Sequence, residues 1–326
     1  MQDLSFPGFS DFSHHGCYDG RVMVKHSLRI LYGVLLLCIA NRNLMVPQAA
    51  PSSNRPFQIY ITASEKDDSP PIPTLSKLKG AIDKHDAQLT SLRSANADKM
   101  RFALLVDASN SETNQAASIR EAAVQLFRGL LEHGNEGYLL VFNEQVFTSS
   151  KPLQLPEVRQ ALESGVRQAH ECVKPCGGSA INDAIALASQ KILSKLGNPE
   201  TPRRVILLIS DGEDNSSKIN LSETLEIAIR EGVSIFSLQT GTSEMGSREA
   251  RFAKLFMQLA SLDTGGQSFR PKRVEEGVPL LLEAIHKQWV LGVVPPQVHD
   301  QKLHTLSIKS SEKNVQISAP AQILLE

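Results

Sequence analysis

Two apolar runs stand out along the chain, Phe102-Ala103-Leu104-Leu105-Val106 and Val205-Ile206-Leu207-Leu208-Ile209, each with no polar residue inside it. Uninterrupted runs of this length suit strands buried on both faces, the habit of parallel sheets covered by helices. Tyr138 to Phe142 reads as a further strand, Val146-Phe147 as a weaker one, and Val233 to Leu238 and Gln267 to Phe269 as the last. Between the first two strands, Ile119, Ala122, Ala123, Leu126, Phe127 and Leu130 recur at helical spacing with charged and amide residues between them, so one helix face should cover the sheet. Further helices are predicted over 155–169, 181–196, 222–230, 249–262 and 275–287. This alternation predicts an α/β fold: a doubly wound, mostly parallel sheet with helices on both faces and right-handed crossovers.

The flanks follow a different rule. Phe57, Ile59 and Ile61 alternate with Gln58, Tyr60 and Thr62, the period of a half-exposed strand. Residues 64–74 form a charged, proline-rich loop, and the segments 81–82, 84–86 and 88–92 suit a hairpin, although 75–89 also suits a weak helix. Val290 to Val294, Leu303 to Ile308 and Val315 to Ile317 read as strands expected to pair with the one around Ile59. The organisation expected is a signal-peptide region over 1–50, an accessory β segment over 51–98, a central α/β domain over 99–287, and a C-terminal β segment over 288–326 pairing with 51–98. The small β domain so assembled should lie opposite the ends of the strands where ligands bind.

The amino terminus carries an address. Arg21, Lys25, His26 and Arg29 precede the apolar stretch from Ile30 to Ala40, and Pro47-Gln48-Ala49-Ala50 supplies small residues for cleavage. Eleven apolar residues are too few to span a bilayer. A secreted or periplasmic protein is expected, with membrane attachment only through an uncleaved signal, and translation starting at Met1 or Met23. Lys plus Arg (34) nearly balance Asp plus Glu (35), so there is no positive field to attract nucleic acid.

Candidate chemistry sits where strands should end. Asp107-Ala108-Ser109-Asn110-Ser111 follows the first apolar run, Ser210-Asp211-Gly212 follows the second, and Gly177-Gly178-Ser179 lies ahead of a predicted helix. Ligands of open α/β sheets bind beyond the carboxyl ends of the strands. Any one of these fragments alone also suits a helix cap or a turn. Together, Asp107, Ser109, Ser111, Ser179 and Asp211 offer the oxygen donors that a hard divalent cation takes, with Mg²⁺ first and Mn²⁺ or Ca²⁺ as alternatives. Two carboxylates and neutral hydroxyls would leave the cation electron-poor and able to accept a carboxylate from a protein partner. The glycine pair is expected to supply the backbone freedom for a tight approach. Asp183 is a candidate hydrogen-bonding neighbour of the site or a first-turn helix residue, and Glu213 and Asp214 are expected in a solvated loop.

These residues carry a resemblance. The stretch from about 99 to 287 resembles a von Willebrand factor type A domain, whose metal-ion-dependent adhesion site has Asp-x-Ser-x-Ser, then a Thr, then an Asp before Gly. Asp107, Ser109, Ser111 and Asp211 match, and Ser179 stands where the family usually has Thr, keeping the hydroxyl without the methyl. The resemblance implies that the hydroxyls hold a metal directly or through water, the aspartates often through water, and that a partner's acidic side chain completes the shell. Thr90 to Ala95, Thr264 to Phe269 and Trp289 to Pro295 extend it to secreted bacterial, acidobacterial-type von Willebrand factor A-related proteins, over nearly all the chain after residue 55.

Cys17 and Cys38 should leave with the signal, and Cys172 and Cys176 remain just before Gly177. Outside the cytoplasm such a pair favours a structural disulfide, ahead of free thiols and of a zinc site with His170. No Gly-x-Ser-x-Gly elbow, His-Glu-x-x-His helix or phosphate loop is present, and position 109 is Ser where an Asp-x-Asp phosphatase needs a second carboxylate. The expectation is therefore a binding module rather than an enzyme. A scaffold with a non-functional site and a metal-dependent hydrolase are the alternatives.

Overall fold

The alternation of side chains inside the two apolar runs builds the centre of the protein. In the computed structural model, which describes residues 56–65, 71–131, 134–171, 177–194, 203–241, 247–295 and 300–325, Phe102, Leu104, Val106, Val205, Leu207 and Ile209 face one core. Ala103, Leu105, Ile206 and Leu208 face the other. Both faces of these strands are therefore dry, which is why neither run carries a polar residue. The expected signal-peptide region, Met23 and all four cysteines lie outside the described residues.

In chain order the elements are β1 (Phe57–Ser64), β2 (Leu78–Ile82), β3 (His85–Ala87), β4 (Leu89–Ser94), β5 (Met100–Asp107), α1 (Ala116–Leu131), β6 (Glu136–Phe142), β7 (Val146–Thr148), α2 (Leu155–His170), α3 (Ile181–Leu187), β8 (Arg203–Ser210), α4 (Leu221–Arg230), β9 (Val233–Gln239), α5 (Arg248–Leu262), β10 (Ser268–Phe269), α6 (Val274–His286), β11 (Trp289–Val293), β12 (Leu303–Ser310), β13 (Gln316–Ser318) and β14 (Gln322–Leu324). The six-stranded sheet has the order β10-β9-β8-β5-β6-β7. All its pairings are parallel except β6 with the edge strand β7. α1, α2 and α6 bury their apolar stripes on one face, and α3, α4 and α5 cover the other. Strand order reverses between β5 and β8, so the crevice of this doubly wound fold opens beyond their carboxyl ends.

The helix expected over 181–196 is shorter than its pattern. α3 gives way to a wider π turn over Ala188–Ile192, where the Ser189 hydroxyl donates to the Ile185 carbonyl at 2.8 Å. A side-chain bond of this kind competes with the regular ladder. Among the described residues, no helix is long and apolar enough to cross a membrane.

The flanking strands form two four-stranded sheets, β13-β1-β11-β4 and β14-β12-β2-β3, around a core that includes Ile59, Ile61, Leu78, Leu291, Val293, Leu306 and Ile308. β1 pairs antiparallel with β11, Ile59 opposite Leu291, and with β13, Ala63 opposite Ile317. β12 pairs instead with β2 and β14. Both edges of β1 are already taken, so the expected pairing of Leu303 to Ile308 with the strand around Ile59 does not form. The weak-helix reading of 75–89 reduces to one 3-10 turn at Leu75–Lys77. β2 and β3 are joined through Asp83 and Lys84, both at positive φ (47° and 71°), as a two-residue hairpin with matching twist requires.

This β layer meets the amino ends of the parallel strands. Arg203, at the start of β8, donates from Nε to Gln288 Oε1 at 3.0 Å and from its terminal nitrogen to the Ile285 carbonyl. Gln288 reaches Ser234 at the start of β9 at 3.1 Å. Burial lowers the Arg203 guanidinium to about 10. Farther out, His304 is gripped on both ring nitrogens, by Asp83 at 2.6 Å and Asp300 at 2.9 Å. These bonds raise its pKa above the ordinary 6.5. A raised histidine stabilises the fold fully below its unfolded value, and the contribution is lost as pH rises through the folded one. His304→Gln should therefore lower the thermal midpoint by a few degrees at about pH 6 and much less at about pH 9. Equal losses at both would count against the clamp.

Candidate metal centre

At the crevice, β5 ends in Asp107 and β8 ends one residue before Asp211. Asp107 is 2% exposed, Ser109 3%, Ser179 2% and Asp211 5%, whereas Ser111 is exposed and stands on the rim. Asp107 Oδ1 accepts from the Ser109 backbone N–H at 2.9 Å. Its Oδ2 accepts from the Ser179 hydroxyl at 2.9 Å and the Ser210 hydroxyl at 2.7 Å. The Ser109 and Ser111 hydroxyls lie 3.1 Å apart. Asp211 Oδ1 accepts from the Glu213 N–H at 2.9 Å, and Gln239 holds the Asp211 carbonyl at 2.9 Å. Four of the five side chains named from the sequence thus gather in one buried group, and the fifth borders it.

Loop geometry explains how segments so distant in the chain meet. The Ser179 N–H donates to Asn215 Oδ1 at 2.8 Å, and the Ser179 carbonyl accepts from the N–H groups of Asn215 and Ser216. Neither Gly177 nor Gly178 has a positive φ. What they provide is room: a Cβ on Gly178 would stand 2.2 Å from Ser216 Oγ, and one on Gly177 2.2 Å from Asn110 Nδ2. The expectation of special backbone freedom is corrected to one of close approach. Gly212 needs both, with φ 89° and a Cβ that would fall 2.7 Å from the Ala253 carbonyl oxygen.

Asp183 accepts from the N–H groups of Lys218 and Ile219 at 3.0 and 3.3 Å, tying the loop that follows Asp211. Asp214 binds the Asn182 backbone N–H at 3.0 Å and its side-chain amide as well. It is a half-buried anchor rather than the solvated loop residue expected.

Two contributors were not foreseen. Ser210 holds Asp107 as described. Glu112, the residue directly after the Asp-x-Ser-x-Ser run, is 2% exposed and completes a group of three with Asp107 and Asp211, whose carboxylate oxygens lie within 4.8 Å of one another. The sequence signal was the acidic residue adjoining the motif, easily read as a helix-start residue. Burial raises Asp107 to about 6, opposed by hydrogen bonds from Ser210 and Ser109, and the neighbouring Asp211 charge adds to the rise. Burial raises Glu112 to about 8, against the Thr240 hydrogen bond and with the charges of Asp107 and Asp211 adding to it. Among the described residues, no ion pair neutralises any of the three. Like-charged carboxylates buried together ionise only at a cost unless a positive charge joins them. A hard cation suits this donor set, which is all oxygen.

Several solved structures are similar to parts of this chain. The aerotolerance-related membrane protein from Bacteroides fragilis is 19% identical, with a TM-score of 0.47 and coverage of 58% of this chain and 99% of that one. BatB from Bacteroides thetaiotaomicron is 21% identical at a TM-score of 0.47, covering 58% and 98%. A von Willebrand factor type A protein from Catenulispora acidiphila is 11% identical at a TM-score of 0.41, covering 84% and 74%. No curated protein matches the sequence. The family profile of the von Willebrand factor type A domain matches residues 102–276, more than half of the chain. Such domains are in general interaction modules that commonly hold a divalent metal, and the chain belongs to the von Willebrand factor type A domain family.

Proposed function

We propose that this protein is an extracytoplasmic, metal-dependent protein-binding module for adhesion or complex assembly. The observation that carries the reading is the buried carboxylate group at the strand-order reversal, with the Ser109 and Ser179 hydroxyls beside it and, among the described residues, no ion pair to balance it. Asp107, Ser109, Ser111, Ser179 and Asp211 would hold the ion, Mg²⁺ first, with Mn²⁺ or Ca²⁺ as alternatives. When bound, the cation supplies a positive centre able to take an Asp or Glu carboxylate from a protein partner. The protein's own residues do the remaining work. Ser179 and Ser210 orient Asp107, the Asn215 side chain fixes the height of the Ser179 loop, and exposed Ser111 marks where the site opens to solvent. The β layer sits at the amino ends of the strands, which leaves the carboxyl-end face open to a partner. The basic, apolar and small-residue order of the first 50 residues supports a secreted or periplasmic location.

Titration with Mg²⁺ and Mn²⁺ should give saturable binding to the wild-type chain and none to Asp107→Ala. At a metal concentration of about one hundred times Kd, binding should stabilise the fold by about 2.7 kcal/mol. A flat titration of the wild type would reject the metal reading. Capture of a partner from an extracytoplasmic extract should disappear with chelator and with Asp211→Ala, and capture indifferent to both would reject the mechanism.

The metal-free protein should also respond to pH. Asp107 and Glu112 lie above their ordinary values when folded, at about 6 and about 8. Their contribution is complete below the unfolded values and is lost as pH rises through the folded ones. The thermal midpoint in chelator should therefore fall between about pH 5 and about pH 8, and a divalent ion should recover most of the loss by holding the carboxylates ionised. A midpoint that rises over that interval would contradict this account. Gly178→Ala should weaken metal binding about tenfold with little loss of global stability, as expected of a change in the support of a metal site.

A further inference from the structure

The three clustered carboxylates differ in what already occupies them. Both oxygens of Asp107 accept hydrogen bonds within the site, and Asp211 Oδ1 accepts one from Glu213. Glu112 Oε1 accepts from the Thr240 hydroxyl. Glu112 Oε2 is buried and has no hydrogen-bond partner at ordinary geometry among the described residues, although the Asp211 backbone N–H is near enough to the carboxylate to favour its charged form. A bare carboxylate oxygen in the interior is costly, so it normally has a donor or an ion beside it.

Local geometry brings this oxygen to the site. The 3-10 turn at Asn110–Gln115 follows the loop from β5. Within it Ser111 faces out and Glu112 turns in. Glu112 also borders a cavity of about 30 Å³, which Val106, Ile119 and Val166 line beside Asp107, Ser109 and Arg120; Asp211 and Ser179 do not line it, so this small space lies beside the carboxylate group and is not its centre. Arg120 makes no ion pair with Glu112 among the described residues.

We propose that Glu112 is a third anionic donor to the metal centre, contributing Oε2 in addition to the residues of the Asp-x-Ser-x-Ser pattern, an inference that rests on the metal-binding reading above. A third carboxylate strengthens the hold on a divalent cation. It also leaves that cation less electron-poor, so an outside carboxylate is gripped less tightly than at a site with two. Glu112 would in this way set the balance between keeping the metal and engaging the partner.

The test is titration of the full chain with Mn²⁺ alone, comparing wild type, Glu112→Gln and Glu112→Asp. Gln keeps the size and an oxygen for Thr240 but removes the charge, and Asp keeps the charge while drawing it back by one methylene. Both should raise the Mn²⁺ Kd by about tenfold or more. In chelator and in alkaline buffer, where Glu112 is ionised, Glu112→Gln should melt at or above the wild-type temperature, because a buried charge beside two others has been removed. A glutamate serving only as a tie to Thr240 would give a different pattern: Mn²⁺ affinity within about twofold of wild type in both variants, and a lower melting temperature in Glu112→Asp, whose shorter side chain draws back from Thr240. That result overturns the inference while leaving the metal reading intact. Absence of Mn²⁺ binding to the wild type overturns both. Should Glu112→Gln not fold, undiminished affinity in Glu112→Asp overturns the inference by itself.

Discussion

Electrostatic repulsion among Asp107, Glu112 and Asp211 is the constraint around which the upper half of the molecule is arranged. Their oxygens sit within 4.8 Å of one another in a place almost closed to water. Each local feature lowers the cost of that arrangement. Ser179 and Ser210 donate to Asp107, Thr240 donates to Glu112, and backbone N–H groups face Asp107 and Asp211. Hydroxyls and amides spread the negative charge but do not neutralise it. That residual charge is the physical reason for reading the site as one that recruits a cation.

The rest of the fold keeps this group rigid. A parallel sheet buried on both faces fixes the ends of β5 and β8 side by side, because their registers are locked from Met100 opposite Arg203 to Val106 opposite Ile209. The loops before α3 and α4 are then bound to each other through Asn215, Asp183 and Asp214. Movement of one loop would disturb the others. At the opposite ends of the strands, Gln288 and Arg203 stitch the β layer to the sheet with buried polar contacts. Two separated stretches of chain close over the amino ends there. The arrangement puts the chain's additional structure away from the proposed binding face.

Sequence alone determined the layers. Continuous apolar strands, helical spacing in 119–130 and alternation in 57–62 are properties of local pattern, and burial follows pattern because each face must find its own dry neighbour. It also placed Asp107 and Asp211 at strand ends, since a polar residue that terminates an apolar run has to emerge at the sheet's rim.

Only the tertiary structure decided what pattern cannot encode. Strand partners depend on which edges are free, so β12 joined β2 when both edges of β1 were taken. The use of Gly177 and Gly178 as room for other loops depends on side chains more than thirty residues away. Glu112 looks in sequence like an exposed acid at the start of a helix, and becomes a buried carboxylate because the 3-10 turn points it beneath the loop toward Thr240, which lies 128 positions further along the chain. Long-range proximity of that kind is a product of folding and leaves no trace in local spacing.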